Sequence, residues 1–435
     1  MHSVAELRLR ARARLPRVVF DFIDGGAGNE ATLQRNESAF QDLRLLPRVF
    51  APCRSRDLST TLLGQRYGMP FGVTPMGLCN LAWPGTDLGL ARAAAKAGIP
   101  YALSTMASTS IEDVARAAPD HTWFQLYVGG DAPVADGFLE RALAAGIRTL
   151  VLTVDANFAA RRLRDRRNHF ALPLRPTPRL LADLLTHPSW SLATLAAGAP
   201  TFENFKPSAS NPRRIDIADM LKALAQAEIN WDLLAHARAR WPHKLIVKGV
   251  LHPQDAQRIA AMGADGVVVS NHGGRQLASV PTSIEALPAI RQAVGPDFAV
   301  LLDSGVRSGD DIAKALAAGA DFVLLGRTFL YGTGALGAER GPAVTIDILR
   351  GELDTAMAQL GCSTVQELRS AAFFPHCPGP TFSIKALHEF TCSRPRATRQ
   401  GGRVRPFHVA RAAALPPPWR DRAFQEQPGH LLHHR

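Results

Sequence analysis

The chain has 435 residues, 46% of them apolar, which admits one large α/β domain or two ordinary ones with a sizeable core. Its net charge of +12 invites a nucleic-acid reading, but ten Lys/Arg against three Asp/Glu fall from Phe373 onward, so +7 of it belongs to the tail. The remainder is mildly basic and carries no aromatic-basic nucleic-acid motif, which leaves an anionic substrate or a membrane surface as the partners that charge favours.

Residues 1 to about 50 mix basic and apolar positions and then give F-D-F-I-D-G-G-A-G-N-E, Phe20 to Glu30. Gly25, Gly26 and Gly28 break two helical segments there, so this part reads as an N-terminal helical cap. From Pro70 a rhythm begins, in which short apolar strands end in small or polar residues and are followed by Ala/Leu-rich helices. Eight strands are predicted: Phe71–Pro75, Tyr101–Thr105, Trp123–Val128, Thr149–Asp155, Lys244–Gly249, Gly266–Asn271, Ala299–Gly305 and Asp321–Gly326. The helical stretches Gly85–Gly98 and Ser308–Gly319 carry cap-type residues or acids at their starts and glycine at their ends. Alternation of this kind implies a parallel sheet, and eight repeats fit a closed (β/α)8 TIM barrel better than an open doubly wound sheet.

One gap interrupts the rhythm. Between Asp155 and Lys244 lie 88 residues, far more than a βα connection needs, so an insertion of about 174–243 follows strand four. Its segment Arg175–Gly198 combines prolines, arginines, leucines and a tryptophan. Two readings stand: an active-site lid or subunit contact, and a peripheral membrane-docking segment. Beyond residue 372 the composition turns to Pro, Arg, His and Gln without periodicity, so 1–372 is the expected barrel unit and 373–435 an expected disordered tail. Cys53, Cys79, Cys362, Cys377 and Cys392 show no C-x-x-C spacing, which suggests neither a zinc site nor a disulfide framework. With no apolar signal region and no run of transmembrane length, cytoplasmic is the default expectation.

Barrel enzymes place their chemistry at the carboxyl ends of the strands, so those ends should hold a coherent set of groups. Strand one ends in Thr74-Pro75-Met76-Gly77, strand two in Ser104 and Thr105, and strand three carries Gln125 and Tyr127. Strand four ends in Thr153 and Asp155, with Arg161 and Arg162 soon after. Lys248 lies within apolar strand five, and a lysine there is costly to bury without an anion or electron-rich acceptor. Strand six leads into S-N-H-G-G-R-Q, Ser270 to Gln276, with His272 as a proton acceptor and Arg275 as a carboxylate or phosphate grip. Strands seven and eight end in Asp303-Ser304-Gly305-Val306-Arg307 and Gly326-Arg327, suited to the phosphate site that barrels build there. Asp155 and His272 are placed to meet across the barrel mouth, where a carboxylate would orient the imidazole and stabilise its protonated form. Each residue singly has a structural explanation; their joint placement is harder to explain that way.

With S-N-H-G-G-R-Q-L, Q-L-Y, T-V-D, V-K-G-V, D-S-G-V-R and L-G-R in place, the chain resembles the FMN-dependent α-hydroxy-acid dehydrogenase and oxidase family over about Leu15 to Ser370. Within it the likeness is nearest to the (S)-mandelate dehydrogenase branch, through Pro75–Leu78, Trp83-Pro84, Leu90–Pro100, Trp241–Leu245 and the long insertion. The resemblance implies FMN, a 2-hydroxy-acid substrate, a quinone or other electron carrier (with oxygen as the alternative acceptor), and a homotetramer. It also implies that the insertion associates with membrane, on the inner face of the cell membrane.

By the same resemblance His272 is the base, Asp155 supports its imidazolium, and Tyr127 hydrogen-bonds the substrate oxygen. Arg162 and Arg275 bind the substrate carboxylate. Lys248 sits at the N1/O2 edge of the flavin, while Pro75, Met76, Gly77, Ser104, Gln125 and Thr153 contact its ring and ribityl parts. Asp303, Ser304, Gly305, Arg307, Gly326 and Arg327 hold the ribityl chain and phosphate. Gly77 stands where glycolate-type relatives carry alanine, and Met106 where glycolate oxidase carries tryptophan, which favours a bulky aryl or branched substrate such as mandelate. Phe22 departs from the family's tyrosine, so one hydrogen bond to the carboxylate is lost. That departure and the tail motivate a competing class, a catalytically silent flavin-binding barrel.

Overall fold

In the computed structural model the described residues are 1–374, apart from 128–131, 157, 159, 172–173, 175–176 and 207–228. The expected tail, from 375 on, the end of the third predicted strand at Val128, and Arg175 and Pro176 of the insertion therefore lie outside the described residues.

Three helices precede the barrel: α1 (Val4–Arg14), α2 (Arg17–Asp24) and α3 (Ala31–Asp42). Ser3 caps α1, its hydroxyl accepting the Glu6 amide, which satisfies one of the free donors at that terminus. Two three-residue strands, β1 (Thr60–Leu62) and β2 (Gln65–Tyr67), form an antiparallel hairpin that the alternation pattern did not reveal. Leu62 and Tyr67 from it pack with the inward residues Ala102, Trp123, Val151, Ile246, Val268, Leu301, Phe322 and Leu324, so the hairpin plugs the barrel interior.

The eight predicted strands are all present: β3 (Phe71–Met76), β4 (Tyr101–Ser104), β5 (Thr122–Tyr127), β6 (Thr149–Thr153), β7 (Lys244–Val250), β8 (Gly266–Val269), β9 (Ala299–Leu302) and β10 (Phe322–Leu325). All pair in parallel, and β10 closes on β3 through Val323 opposite Phe71, giving a TIM barrel. Asp155, Asn271, Asp303–Gly305 and Gly326 fall just past their strands rather than within them. The reason is local at two points: His272 (φ +59°) and Ser304 (φ +80°) occupy the left-handed region, which ends extended pairing.

The insertion after β6 begins earlier than the expected residue 174, since a helix already forms at Leu163–Arg167. Among the described residues it contains four helices: α4 (Leu163–Arg167), α5 (Pro178–Thr186), α6 (Pro188–Ala197) and α7 (Trp231–Arg240). Trp190 anchors α6 to the barrel mouth, buried and donating its indole N–H to the Leu81 carbonyl at 3.0 Å. The cap is tied to the insertion by Asp24, which accepts from Arg8, from Arg164 at 2.9 Å and from the Tyr331 hydroxyl at 2.7 Å. Burial would raise that carboxyl, but these donors hold it well below the usual range.

Candidate active site

The carboxyl ends of the strands, the cap and the insertion enclose a cavity of about 540 Å³. Its wall includes Thr74, Pro75, Met76 and Gly77 from β3 and its turn, Tyr127 and Thr153, Lys248, His272 and Arg275, and the 303–307 and 324–327 segments. Arg162, Phe170 and Phe202 close it from the insertion, and Phe22 from the cap.

His272 and Asp155 meet as the sequence predicts. Nδ1 of the imidazole lies 2.8 Å from Asp155 Oδ1, and Nε2 lies 3.3 Å from the Tyr127 hydroxyl, so the free edge of the ring faces the cavity. Asp155 stands behind the ring, lining a second cavity with Gly249 and Asn271 rather than the main one. Burial pushes its carboxyl up, but the charges of His272 and Lys248 and the bond from the imidazole outweigh that and hold it below the ordinary value. Asp155 is thus a carboxylate, able to accept the Nδ1–H and fix the orientation of the ring. Tyr127 is pushed up to about 12 by burial and by the nearby Asp155 charge, so its hydroxyl keeps its proton and can donate.

Lys248 is buried, with Nζ 3.0 Å from Asp303 Oδ2 and donating to Ser270 Oγ at 2.9 Å. Burial opposes its charge, yet the carboxylates of Asp303 and Asp155 more than offset this, and its pKa lies above the ordinary lysine value. The cation is therefore permanent here. Asp303 is further held by Thr74 Oγ1 at 2.9 Å and Ser304 Oγ at 3.0 Å.

Arg275 donates to the Phe22 carbonyl at 2.8 Å and the Gly25 carbonyl at 2.9 Å, and Arg162 Nε reaches the Arg275 carbonyl at 3.4 Å. Burial, then the like charges of Arg162 and Arg327, weaken Arg275's hold on its proton well below the ordinary value. A guanidinium nonetheless stays charged, so this crowding of cations is relieved by an anion entering the cavity. Of the two neighbouring arginines in the sequence, Arg162 lines the main cavity and Arg161 the second one. Arg327 is turned to the cap, donating to Ile23 O at 3.0 Å and Gly25 O at 2.8 Å. Arg307 bonds Glu37 at 2.8 Å.

Gly77 abuts Met106: a Cβ built there would lie 3.0 Å from the Met106 Cβ and 3.2 Å from its carbonyl oxygen. Phe22 stacks on Phe170, with ring centroids 4.5 Å apart. Phe170, Phe202 and Leu330 are lining residues that sequence reasoning missed. Phe170 had a weak signal, an aromatic eight residues beyond Arg162. Ser104 and Gln125 are not on the cavity wall; they form a buried pair, Oγ donating to Oε1 at 2.9 Å.

The sequence profile of the FMN-dependent dehydrogenase family matches residues 11–374. The chain belongs to this family. It is 42% identical over 368 residues to an (S)-mandelate dehydrogenase of Pseudomonas putida, covering 85% of this chain and 92% of the relative. An L-lactate dehydrogenase of Pseudomonas syringae pv. syringae is 40% identical over 370 residues, 84% of this chain and 96% of the relative. Among solved structures, a monotopic membrane protein (S)-mandelate dehydrogenase superposes with a TM-score of 0.80 at 41% identity, over 85% of this chain and 97% of that one. A mandelate oxidase with benzoyl-formic acid gives a TM-score of 0.74 at 34% identity, over 86% of this chain and 98% of that one.

This member of the family is an FMN-dependent enzyme, and its residues fit the cofactor. Thr153 Oγ1 and Arg307 Nε, both of residues on the cavity wall, are buried polar atoms without a partner among the described residues. Polar atoms are seldom left so in a folded interior, and these accompany a fixed lysine cation and glycine-rich strand ends. Such a set suits a flavin ring with amide-like edges, a hydroxylated chain and a phosphate.

Proposed function

We propose that the chain oxidises an (S)-2-hydroxy acid with a bulky, aryl side chain, such as mandelate, to the 2-oxo acid, and passes the electrons to a quinone or another carrier. The observation that carries this reading is that His272, backed by Asp155, lines one cavity together with Arg162 and Arg275. FMN, when bound, supplies the two-electron acceptor. Arg275 and Arg162 bind the substrate carboxylate, which relieves the repulsion between them. Tyr127, kept protonated, donates to the substrate oxygen. His272 Nε2 takes up a proton released in the oxidation, and Asp155 stabilises the imidazolium through Nδ1. General base catalysis of this type contributes roughly 10²–10⁴-fold. Phe22, Phe170 and Phe202 give the cavity an apolar wall, which shields the reacting atoms from water and suits an aromatic side chain.

The (S)-mandelate dehydrogenase structure described as monotopic supports a peripheral membrane reading of α5 and α6. These helices expose Leu181, Leu185, Leu192 and Leu195, and among the described residues no helix is long and apolar enough to cross a membrane. The likeness to a mandelate oxidase favours oxygen as a second reading for the acceptor.

Anaerobic mixing of the yellow protein with a panel of 2-hydroxy acids tests the function. Bleaching by (S)-mandelate faster than by L-lactate or glycolate is expected, with colour returning faster on adding a quinone than on admitting air. Bleaching by none of them would favour the silent barrel, and rapid return of colour in air would favour an oxidase.

A further inference from the structure

The loop that carries His272 is pinned by several side chains, and one of them comes from outside the barrel. Ser270 Oγ accepts the His272 amide at 3.0 Å, and Ser304 Oγ accepts the Gly273 amide at 2.9 Å. Asn271, directly before the histidine, accepts the Gly274 amide on Oδ1 at 3.1 Å and donates from Nδ2 to the Pro281 carbonyl at 3.2 Å. Asn36 of α3 meets the same amide reciprocally. Its Nδ2 donates to Asn271 Oδ1 at 2.9 Å, while Asn271 Nδ2 donates to Asn36 Oδ1 at 2.6 Å.

Both side chains are buried, at 1% and 4% exposure. Two amides that exchange both bonds fix each other's planes, because a flip of either one sets donor against donor and acceptor against acceptor. Filling space at this position would need only an apolar side chain; a buried amide brings a pairing demand that is costly to leave unmet. The next residue, His272, holds a φ of +59°, which a non-glycine residue keeps only where its surroundings enforce it. The backbones also touch: a Cβ on Gly274 would lie 2.7 Å from the Leu33 nitrogen, and one on Gly305 would collide with the Asn36 carbonyl.

We propose that Asn36 is a positioning residue for the base: through Asn271 it holds the backbone at His272 so that Nε2 faces the substrate while Nδ1 stays on Asp155. This rests on the reading of His272 as the base. Asn36 touches neither substrate nor proton; it acts at one remove, from the cap.

The test uses FMN-loaded full-length Asn36→Ala, Asn271→Ala, the double variant and His272→Gln. Each is mixed anaerobically with the acid that bleaches the wild type fastest, (S)-mandelate on the present reading, and each is followed by hydrogen exchange across Ser270–Gln276. Asn36→Ala is expected to slow bleaching per flavin by about 10–100-fold with KM close to wild type. It should also move the acid limb of the kcat/KM profile to lower pH, because the imidazolium is less well held on Asp155. Exchange at His272–Arg275 should quicken, and the double variant should be no slower than Asn271→Ala alone. A per-flavin rate and acid limb unchanged in Asn36→Ala, or effects that simply multiply in the double variant, would overturn the proposal. If Asn36→Ala does not take up FMN, Asn36→Asp, of the same shape but with only the acceptor half, is judged by the same rate and pH limb. Wild-type bleaching in His272→Gln would show instead that the base assignment has failed. An inert His272→Gln beside an unaffected Asn36 variant would sink the role of Asn36 alone.

Discussion

Phe22 lies face to face with Phe170, with centroids 4.5 Å apart and planes 13° apart, and the Arg275 guanidinium carbon is 5.3 Å from the Phe22 ring. The cap and the insertion thus meet as an apolar pair beside the Arg275 guanidinium. Phe22→Tyr adds a hydroxyl beside Arg275, and a hydrogen bond to a charged group is worth roughly 1.5–3 kcal/mol. The expected result is a KM for (S)-mandelate lowered about tenfold or more, with kcat little changed. Steady-state kinetics on the two proteins checks it, and an unchanged KM would mean that the ring edge does not reach the carboxylate.

Gly77 offers a second handle on the same wall. An added methyl would press on Met106 from 3.0–3.2 Å and push it, or the substrate, into the cavity. One methylene of pocket space is worth roughly 1–3 kcal/mol in discrimination. Gly77→Ala should therefore lower kcat/KM for (S)-mandelate relative to L-lactate by about tenfold or more. Measuring the ratio for both acids decides it; an unchanged ratio would remove Gly77 from the specificity argument.

Much of this site is legible in the sequence, because it depends on local order. Apolar β-branched runs followed by glycine and polar residues mark strand ends, and a barrel brings all such ends to one rim. What escapes is whatever depends on contacts across the chain. The strands Thr60–Leu62 and Gln65–Tyr67 are too short for alternation to stand out, although they plug the barrel. Phe170 and Phe202 reach the cavity from an insertion whose path no periodicity predicts. Asn36 reads as an ordinary helix-surface amide. Its signal was there, since it shares a buried helical face with Leu33 and Phe40, and a polar residue on such a face needs a partner.

Asp155 should betray itself in both rate and pH. Asp155→Asn removes the charge behind the imidazole, and bleaching per flavin should fall by roughly 10²–10⁴-fold. The carboxyl's pKa is depressed in the folded protein, so it contributes stability that is fully present above the unfolded value of about 3.9 and is lost as pH falls through the lower folded value. Thermal melting of the wild type should drop in that acid window more steeply than that of Asp155→Asn. Parallel melting curves would show that the carboxylate gains nothing on folding.

Lys248 and Asp303 form a buried pair whose partners cannot be removed singly without cost. Lys248→Met leaves the Asp303 carboxylate facing Thr74 and Ser304 alone, and breaking such a pair typically costs about 3–5 kcal/mol. The variant should melt lower and hold less FMN, and the FMN that remains should have a more negative midpoint potential, because no cation stabilises charge on the reduced ring. Adding Asp303→Asn should restore part of the melting temperature but not the potential. Recovery of both would make the lysine a purely structural ion-pair partner.

The exposed leucines of α5 and α6 carry the last expectation. Leu185 and Leu195 are each 81% exposed, and Leu181 and Leu192 share the surface at 51% and 66%. Four such side chains on two short helices are costly to leave in water, yet Trp190 and the bond from the Arg17 amide to Asp183 at 2.6 Å hold these helices against the protein. The leucines are thus presented outward by anchored helices, as membrane docking requires. Full burial of a leucine contributes roughly 1.5–3 kcal/mol, so Leu185→Asp with Leu195→Asp removes enough to weaken partitioning about a hundredfold even at the lower figure. In co-sedimentation with vesicles of anionic phospholipid the wild type should pellet and the double variant remain in solution. Bleaching by (S)-mandelate in solution should be the same for both, since neither leucine lines the cavity. Equal pelleting of the two proteins would turn the reading of this surface from a membrane contact to a lid or a contact between subunits.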